Sequence, residues 1–152
     1  MTGPSFRFRL ERVRAVRERK EKLAQQELAR SMTRLSDTRA ELRSAEASVE
    51  RARAHQRDAS GVSQPLGGAE LRARQAFLER VEADRSSRAQ DVRRTEAEVA
   101  DRGEKLVVAA TEHEMLNRLR ERRRSEHELE AARHESKLID EMAAGRTRRS
   151  VA

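Results

Sequence analysis

The chain has 152 residues, of which 40% are charged and 2% aromatic, and its formal net charge is +7. It is long enough for one domain but too poor in large apolar side chains to form a compact globule around a sizeable core. It has no cysteine, so disulfide and thiolate chemistry are excluded, and no apolar block resembles a signal peptide or the ~18-residue span of a membrane helix. We therefore expect a cytoplasmic protein of long helices.

The first predicted helix runs from residue 5 to residue 59, after Pro4. An apolar residue recurs every seven positions, which is typical of a coiled-coil seam: Leu28, Leu35, Leu42 and Val49. Ala45 and Ala52 supply the second row of this seam, three positions after the last two. A similar stripe in a shifted phase precedes it, formed by Phe6, Leu10, Val13, Val16 and Leu23.

A helix-breaking segment follows, with the sequence SGVSQPLGGAE. It contains one of the two prolines and three of the six glycines of the chain. It therefore predicts a loop over residues 60 to 68.

The second predicted helix runs from residue 69 to residue 144. Its seven-residue row is interrupted only by Arg85 and consists of Leu71, Leu78, Val92, Val99 and Leu106. The apolar pattern continues with Met115, Leu116, Leu119, Leu129, Ala132, Ile139 and Ala143. Gly145 is a typical stop, so we expect a flexible tail over residues 145 to 152.

The predicted fold class is all-α, with two long helices forming an antiparallel coiled-coil hairpin in which the second helix overhangs the first. A short loop makes neighbouring helices antiparallel, and folding about its centre pairs residues whose numbers sum to about 129. Leu10 then faces Leu119, and Phe6 faces Arg123. Beyond them the apolar residues of the second helix have no partner within the chain, so we expect them to bind another molecule: Leu129, Leu138, Ile139 and Met142. Because overhanging helices fray, we expect residues 126 to 152 to become ordered on docking.

Charge is distributed unevenly along the chain. Residues 1 to 30 carry a net charge of +5 and residues 118 to 152 carry +3, whereas the remainder carries −1. An antiparallel hairpin would collect this positive charge at the end where the termini meet. Such an asymmetric field steers a docking partner.

Two stretches carry a resemblance to a known family. FRFRLERVRAVRERKEKLAQQELA, residues 6 to 29, resembles the opening of FliJ-type proteins, in which Phe-x-Phe-x-Leu leads into a charged helix. LRERRRSEHELEAARHESKLIDEMAAGR, residues 119 to 146, is similar to the closing stretch of the family, including the pair Asp140 and Glu141. Length and the single central break also agree, so the resemblance covers nearly the whole chain.

The resemblance implies a soluble, non-enzymatic part of the flagellar type III protein export apparatus. FliJ-like proteins are antiparallel coiled coils similar to the stalk of rotary ATPases. They bind the hexameric export ATPase through the end that holds both termini and promote its assembly. They also contact the cytoplasmic part of the export-gate membrane protein and escort export chaperones. The implied location is therefore the cytoplasmic face of the membrane-embedded apparatus, with no cofactor and a monomeric free state.

The apolar and charge pattern and the family resemblance together predict two binding sites. The ATPase-docking residues are Phe6, Phe8, Leu10, Val13, Leu119, Arg122, Arg123, Leu129, Leu138, Ile139, Asp140 and Glu141. The export-gate contact is predicted at Phe77 and Val81. Phe77 equally fits seam packing. For any single arginine of the docking set, exposed pairing with glutamates such as Glu126 and Glu130 is the favoured interpretation.

Other functions fit the same residues less well. His127 and His134 lie about 10 Å apart on one helix face, too far to hold one metal ion. No phosphate loop or nucleophile elbow is present. A basic nucleic-acid-binding coiled coil would need fewer interspersed acids and more stacking aromatics. A generic scaffold that dimerises, and the equivalent stalk of a virulence secretion system, remain alternatives.

Overall fold

The computed structural model describes residues 5–60 and 67–150, and over these ranges it contains two helices and no strand. Helix α1 spans Glu11–Ser60 and α2 spans Gly68–Ser150. The chain divides into two compact units, which we name by what they contain. The terminal unit comprises residues 1–22 and 107–152, and the loop unit comprises residues 23–106. Within each unit a segment of α1 packs antiparallel to a segment of α2, which confirms the predicted all-α class.

Composition explains why both helices are so long. Helix α1 contains neither glycine nor proline, and most of its residues are Ala, Arg, Glu, Leu and Gln, which favour helix. The acidic Glu11 in its first turn and the basic Arg57 in its last turn both interact favourably with the helix dipole. Helix formation is therefore supported locally as well as by packing.

The prediction that the first helix begins at residue 5 is wrong, because α1 begins at Glu11. The Glu11 amide donates to the Phe8 carbonyl at 3.1 Å, which closes the entry turn. Residues 5 to 10 are not helical because their apolar residues alternate with arginines, a period of two rather than 3.6. The alternation places Phe6 and Phe8 together against α2.

The predicted stop at Gly145 is also wrong, since α2 continues to Ser150. A single glycine costs a helix only about 1 kcal/mol, and no proline follows it. No described glycine has a positive φ, so the backbone signature of a glycine stop is missing there. The predicted loop agrees with the ends of the helices at Ser60 and Gly68, while residues 61–66 lie outside the described residues.

Ion pairs between the helices fix the register of the loop unit. The cross-helix pairs are Glu27 with Arg102 at 2.5 Å, Arg34 with Glu98 at 3.1 Å, Arg39 with Glu96 at 2.7 Å, Glu41 with Arg88 at 2.5 Å and Arg53 with Glu82 at 2.9 Å. Their residue numbers sum to between 129 and 135, close to the predicted sum. Thr38 and Thr95 also share a hydrogen bond of 3.0 Å between their hydroxyls.

Small side chains form the core of the loop unit. Its buried residues are Ser31, Ala45, Val49, Ala52 and Val92. The Ser31 hydroxyl donates to the Leu28 carbonyl at 2.8 Å, so this buried polar group is satisfied. The leucines predicted for the seam flank this core and are half-buried, as is Val99: Leu28, Leu35, Leu42, Leu78 and Leu106.

Leu71 departs from the predicted seam because its side chain is exposed. It lies in the first turn of α2, where the observed register places its partner position at or beyond the end of α1. It therefore has no helical surface of α1 to pack against.

Candidate functional site

The non-helical segment of residues 5 to 10 forms one wall of a cleft in the terminal unit. The cleft measures about 700 Å³ and is lined on the α2 side by Leu119, Arg123 and His127. The Phe6 ring lies 5.8 Å from the His127 ring, centroid to centroid, in a tilted arrangement. This contact corrects the expectation that Phe6 faces Arg123, because the non-helical segment before α1 reaches further along α2 per residue than a helix would.

Below the cleft, ion pairs and hydrogen bonds between polar side chains join the two helices of the terminal unit. Glu11 pairs with Arg120 at 3.4 Å, and Arg17 pairs with Glu112. The Glu21 carboxylate accepts a hydrogen bond of 2.7 Å from His113 Nδ1, with both side chains mostly buried. We call this set of contacts the polar seam.

Asn117 completes the polar seam by fixing the tautomer of His113. Its Nδ2 lies 3.2 Å from His113 Nε2 and donates to it, so the ring proton is on Nδ1, where the Glu21 carboxylate accepts it. Both ring nitrogens of His113 therefore have a hydrogen-bond partner. The arrangement is a structural contact, because neither nitrogen is free to act as a general base.

Local hydrogen bonds shift two carboxylates of the terminal unit. Arg14 donates to Glu11 at 2.7 Å and thereby lowers the pKa of Glu11 from its ordinary value of 4.5. A hydrogen bond from Lys22 lowers the pKa of Glu18 in the same direction. Both acids therefore remain ionised over the physiological pH range, and both are turned towards cations of the same unit.

Because polar residues occupy the seam, the apolar stripe predicted there is wrong. Leu10, Val13, Val16 and Leu23 are all exposed instead. Charged residues with the same helical spacing take the inward positions: Glu11, Arg14, Arg17, Glu18 and Glu21. The apolar groups of this part of α1 are thus left available to another molecule.

Beyond His127, α2 continues without a described segment of α1 beside it. We call residues 128–144 the overhang; all of its side chains are exposed, including the predicted docking residues Asp140 and Glu141. The overhang carries four large apolar residues on its surface: Leu129, Leu138, Ile139 and Met142. Leu138 and Met142 are one turn apart, with Ile139 beside them, so they form one apolar patch.

The arginines before the overhang divide into two groups. Arg123 pairs with Glu126 at 3.0 Å and Arg124 pairs with Glu128 at 2.9 Å, as expected for local pairs within one helix. Arg122 is exposed and makes no ion pair with any described residue. Of the predicted docking arginines, Arg122 is therefore the one with an uncommitted guanidinium.

The second predicted site lies in the loop unit. Phe77 is half-exposed and lines a smaller cleft of about 360 Å³ together with Ala52, His55 and Arg74. Val81, one turn along α2, is half-buried. Phe77 is therefore available for contact even though it lies beside the core.

The structure thus brings together part of the predicted docking set. Phe6, Phe8, Leu10, Leu119 and Arg123 line one cleft, whereas Val13 and the apolar residues of the overhang lie outside it. Sequence reasoning missed the polar seam, although the three-and-four spacing of its charged residues could have indicated it.

Among the described residues, no group of three or more His, Cys, Asp or Glu is placed to hold a metal ion. No helix in the described part of the chain is long and apolar enough to cross a membrane.

Comparison with known proteins identifies one match. The family model described as flagellar FliJ protein matches residues 6–152. No curated protein and no solved structure matches the chain.

Proposed function

Since the chain belongs to the flagellar FliJ protein family, we propose that it is a non-enzymatic stalk of flagellar protein export that binds the hexameric export ATPase. The family match covers nearly the whole chain and supports a role in flagellar export. The ATPase role rests on the terminal unit. There α2 presents a cleft that contains Phe6, Phe8 and Leu119, then the exposed Arg122, and further along the apolar patch of the overhang.

The exposed apolar patch of the overhang carries this proposal. Leu138 and Ile139 are 59% and 55% exposed on a helix that has no described partner at this point. Soluble monomers rarely expose grouped large aliphatic residues unless these contact another molecule. An amphipathic helix that inserts its apolar face into a partner is a common binding mode, so a ring with an apolar lining fits it.

The cleft supplies a second contact for the same partner. Phe6 and Phe8 form its wall beside Leu119, and aromatic side chains commonly anchor protein interfaces. Arg122 would add a bidentate contact to a carboxylate of the partner. We propose that both features dock together, and that docking promotes assembly of the ATPase ring.

We further propose that the loop unit connects the ATPase to the export gate and that export chaperones bind the same protein. The half-exposed Phe77 and the neighbouring Val81 support the gate contact. Together these contacts would hold the protein at the cytoplasmic face of the export apparatus. The chaperone role rests on the family resemblance alone.

The test is a quantitative binding assay with the export ATPase from the same genome. We expect L138D/I139D to lower affinity for the ATPase at least about tenfold, because two charges would have to enter an apolar interface. The matched control is V107D/V108D, which changes two adjacent residues of α2 that are 65% and 59% exposed but lie outside the proposed contact. Equal affinities for the two variants would refute the proposed docking surface.

A truncation after Arg124 extends the same test to ring assembly. It removes the overhang together with the cleft residues Glu126, His127 and Glu130, and it leaves Phe6, Phe8 and Leu119 in the chain. We expect the intact chain to stimulate ATP hydrolysis and ring assembly at physiological salt, and the truncated chain to do neither. Full stimulation by the truncated chain would show that the overhang is not the docking element.

A self-associating scaffold is the second candidate, favoured by the exposed Val107, Val108 and Met115 on α2. It predicts a stable dimer at micromolar concentration, whereas the stalk predicts a monomer that binds the ATPase. Sedimentation equilibrium distinguishes the two.

A further inference from the structure

The outer face of α1 in the terminal unit has no acidic residue. The acids of this segment are Glu11, Glu18 and Glu21, and each is engaged by a neighbour. Glu11 contacts Arg14 and Arg120, Glu18 contacts Lys22, and Glu21 contacts His113. All three acids are thus engaged by neighbours, and two of them, Glu11 and Glu21, contact side chains of α2.

Basic residues lie on the opposite side of α1. Arg12, Arg19 and Lys20 are exposed, and none of them makes an ion pair with a described residue. Val13 and Val16 lie between them, and Val16 is 51% exposed. At 100° per residue these five side chains fall within an arc of about 120°, and the three acids lie outside it. We call this arc the cationic face.

The segment that precedes α1 extends this positive surface. Arg7 and Arg9 are exposed and without an ion pair among the described residues. They line the same cleft as Phe6 and Phe8, so they add positive charge to the terminal unit just before α1. Five unpaired cations therefore follow one another over residues 7 to 20.

We propose that the cationic face binds the surface of anionic lipid bilayers. A helix face with a few aliphatic side chains flanked by Arg and Lys lies in the headgroup region, where its apolar groups enter the acyl boundary. The long stems of Arg12, Arg19 and Lys20 cover apolar surface while their charges reach lipid phosphates. Attraction to anionic lipids adds with each basic residue near the surface.

The shape of the face favours a bilayer over other anionic partners. The clefts described above lie elsewhere, so Val13 and Val16 stand on a convex surface that suits a soft planar partner better than a protein pocket. The face carries no aromatic side chain on which a base could stack. Only Val13 also belongs to the proposed ATPase-docking set, so binding to lipid is a separate property and is tested without the ATPase.

The experiment is flotation of the full chain with vesicles. One set contains phosphatidylcholine alone, and the other contains added phosphatidylglycerol. We expect binding only to the anionic vesicles, weakening as salt rises. The variant R12Q/R19Q/K20Q should lose at least about tenfold in partitioning, because three neighbouring charges act together.

A matched control separates the cationic face from overall charge. The variant R43Q/R80Q/R93Q removes three exposed arginines of the loop unit that also make no ion pair with a described residue. It has the same net charge as the test variant and should keep most of the binding. Equal losses in the two variants would overturn the proposal, and so would equal binding to phosphatidylcholine.

Two further measurements cover the remaining outcomes. The chain has no cysteine, so Val16→Cys can carry a single environment-sensitive fluorophore, with Val108→Cys as its control. We expect a blue shift at Val16 alone, and only with anionic vesicles, which does not depend on whether the triple variant folds. Random duplex DNA or the ATPase binding the face more tightly than vesicles, with the same loss in R12Q/R19Q/K20Q, would assign it to that partner instead.

Discussion

The terminal unit and the loop unit hold their helices together by opposite means. In the loop unit, small apolar residues such as Ala45 and Val49 are buried between the helices, and ion pairs lie at the edges. In the terminal unit, charged residues such as Glu21 lie between the helices, and large apolar residues such as Val16 point outwards. Apolar burial is the main driving force for packing, so a unit that leaves its apolar groups outside is built to contact something else.

The sharpest way to test this comparison is to place a charge at apolar positions of the two units. Val49→Asp buries a carboxylate without a partner, because Val49 is only 3% exposed. We expect it to lower the free energy of unfolding by about 3 to 5 kcal/mol. Thermal unfolding followed by circular dichroism measures this change.

Val108→Asp in the terminal unit is the matched control, since it makes the same substitution in a helix at an exposed valine. It should change the free energy of unfolding by less than about 0.5 kcal/mol. Similar losses in the two variants would mean that the contrast in burial between the units does not exist in solution.

The register and the overhang could be predicted from the sequence, whereas the polar seam is only one of two arrangements that the spacing allows. The seven-residue spacing of Leu28, Leu35 and Leu42 defines one face, and the central glycines and proline define the point of reversal. In the first turns of α1, either of two stripes could face α2: an apolar stripe that includes Val13 or a charged stripe that includes Glu21. Burial normally favours the apolar stripe, so only the structure shows that the charged residues face inwards.

The start of α1 was missed for a different reason. Phe6 fits the helical spacing of the stripe through Leu10 and Val13, but the separation of two residues between Phe6 and Phe8 also suits an extended chain. The cleft they form with Leu119 depends on that extended conformation. An alternation of apolar and basic residues over so short a segment does not distinguish a helix from an extended chain by sequence alone.

Removing one acid from each unit tests the polar seam directly. Glu21→Ala leaves the half-buried His113 without its acceptor, and we expect a loss of about 1 to 2 kcal/mol. Hydrogen exchange should rise in residues 11–22 and 107–120. The comparison is Glu27→Ala, which breaks the more exposed pair with Arg102 and should cost less than about 1 kcal/mol. A larger effect for Glu27 would contradict a structural role for the polar seam.

A gain in stability is expected at one position of the loop unit. Gly103 lies inside α2, and apart from the adjacent residues and the local helix backbone no atom lies within 4 Å of the position that an added Cβ would take. Gly103→Ala should therefore raise the free energy of unfolding by up to about 1 kcal/mol. Urea unfolding measures it, with Gly68→Ala at the first residue of α2 as the comparison, where a frayed turn should gain less. A loss of stability at Gly103 would reveal a close contact that the helix packing does not show.

The smallest effect expected is a dependence of the first turns of α1 on pH. The pKa values of Glu11 and Glu18 are lowered from 4.5 in the folded chain, chiefly by hydrogen bonds from Arg14 and Lys22. A lowered pKa contributes stability that is present above the unfolded value and is lost as pH falls through the folded value. The protection of the amides of residues 11–22, measured as the exchange rate relative to the intrinsic rate at the same pH, should therefore fall on acidification below about pH 4.5.

The cause of that acid sensitivity is separable from general unfolding. R14Q/K22Q removes both donors, so the pKa values of Glu11 and Glu18 should return towards 4.5 and the loss of protection on acidification should flatten. Arg12→Gln removes a neighbouring cation that makes no ion pair with a described residue and should leave the profile unchanged. If the two variants gave the same profile, the hydrogen bonds to Glu11 and Glu18 would not be what holds the start of α1. The polar seam alone would then have to keep this segment in place.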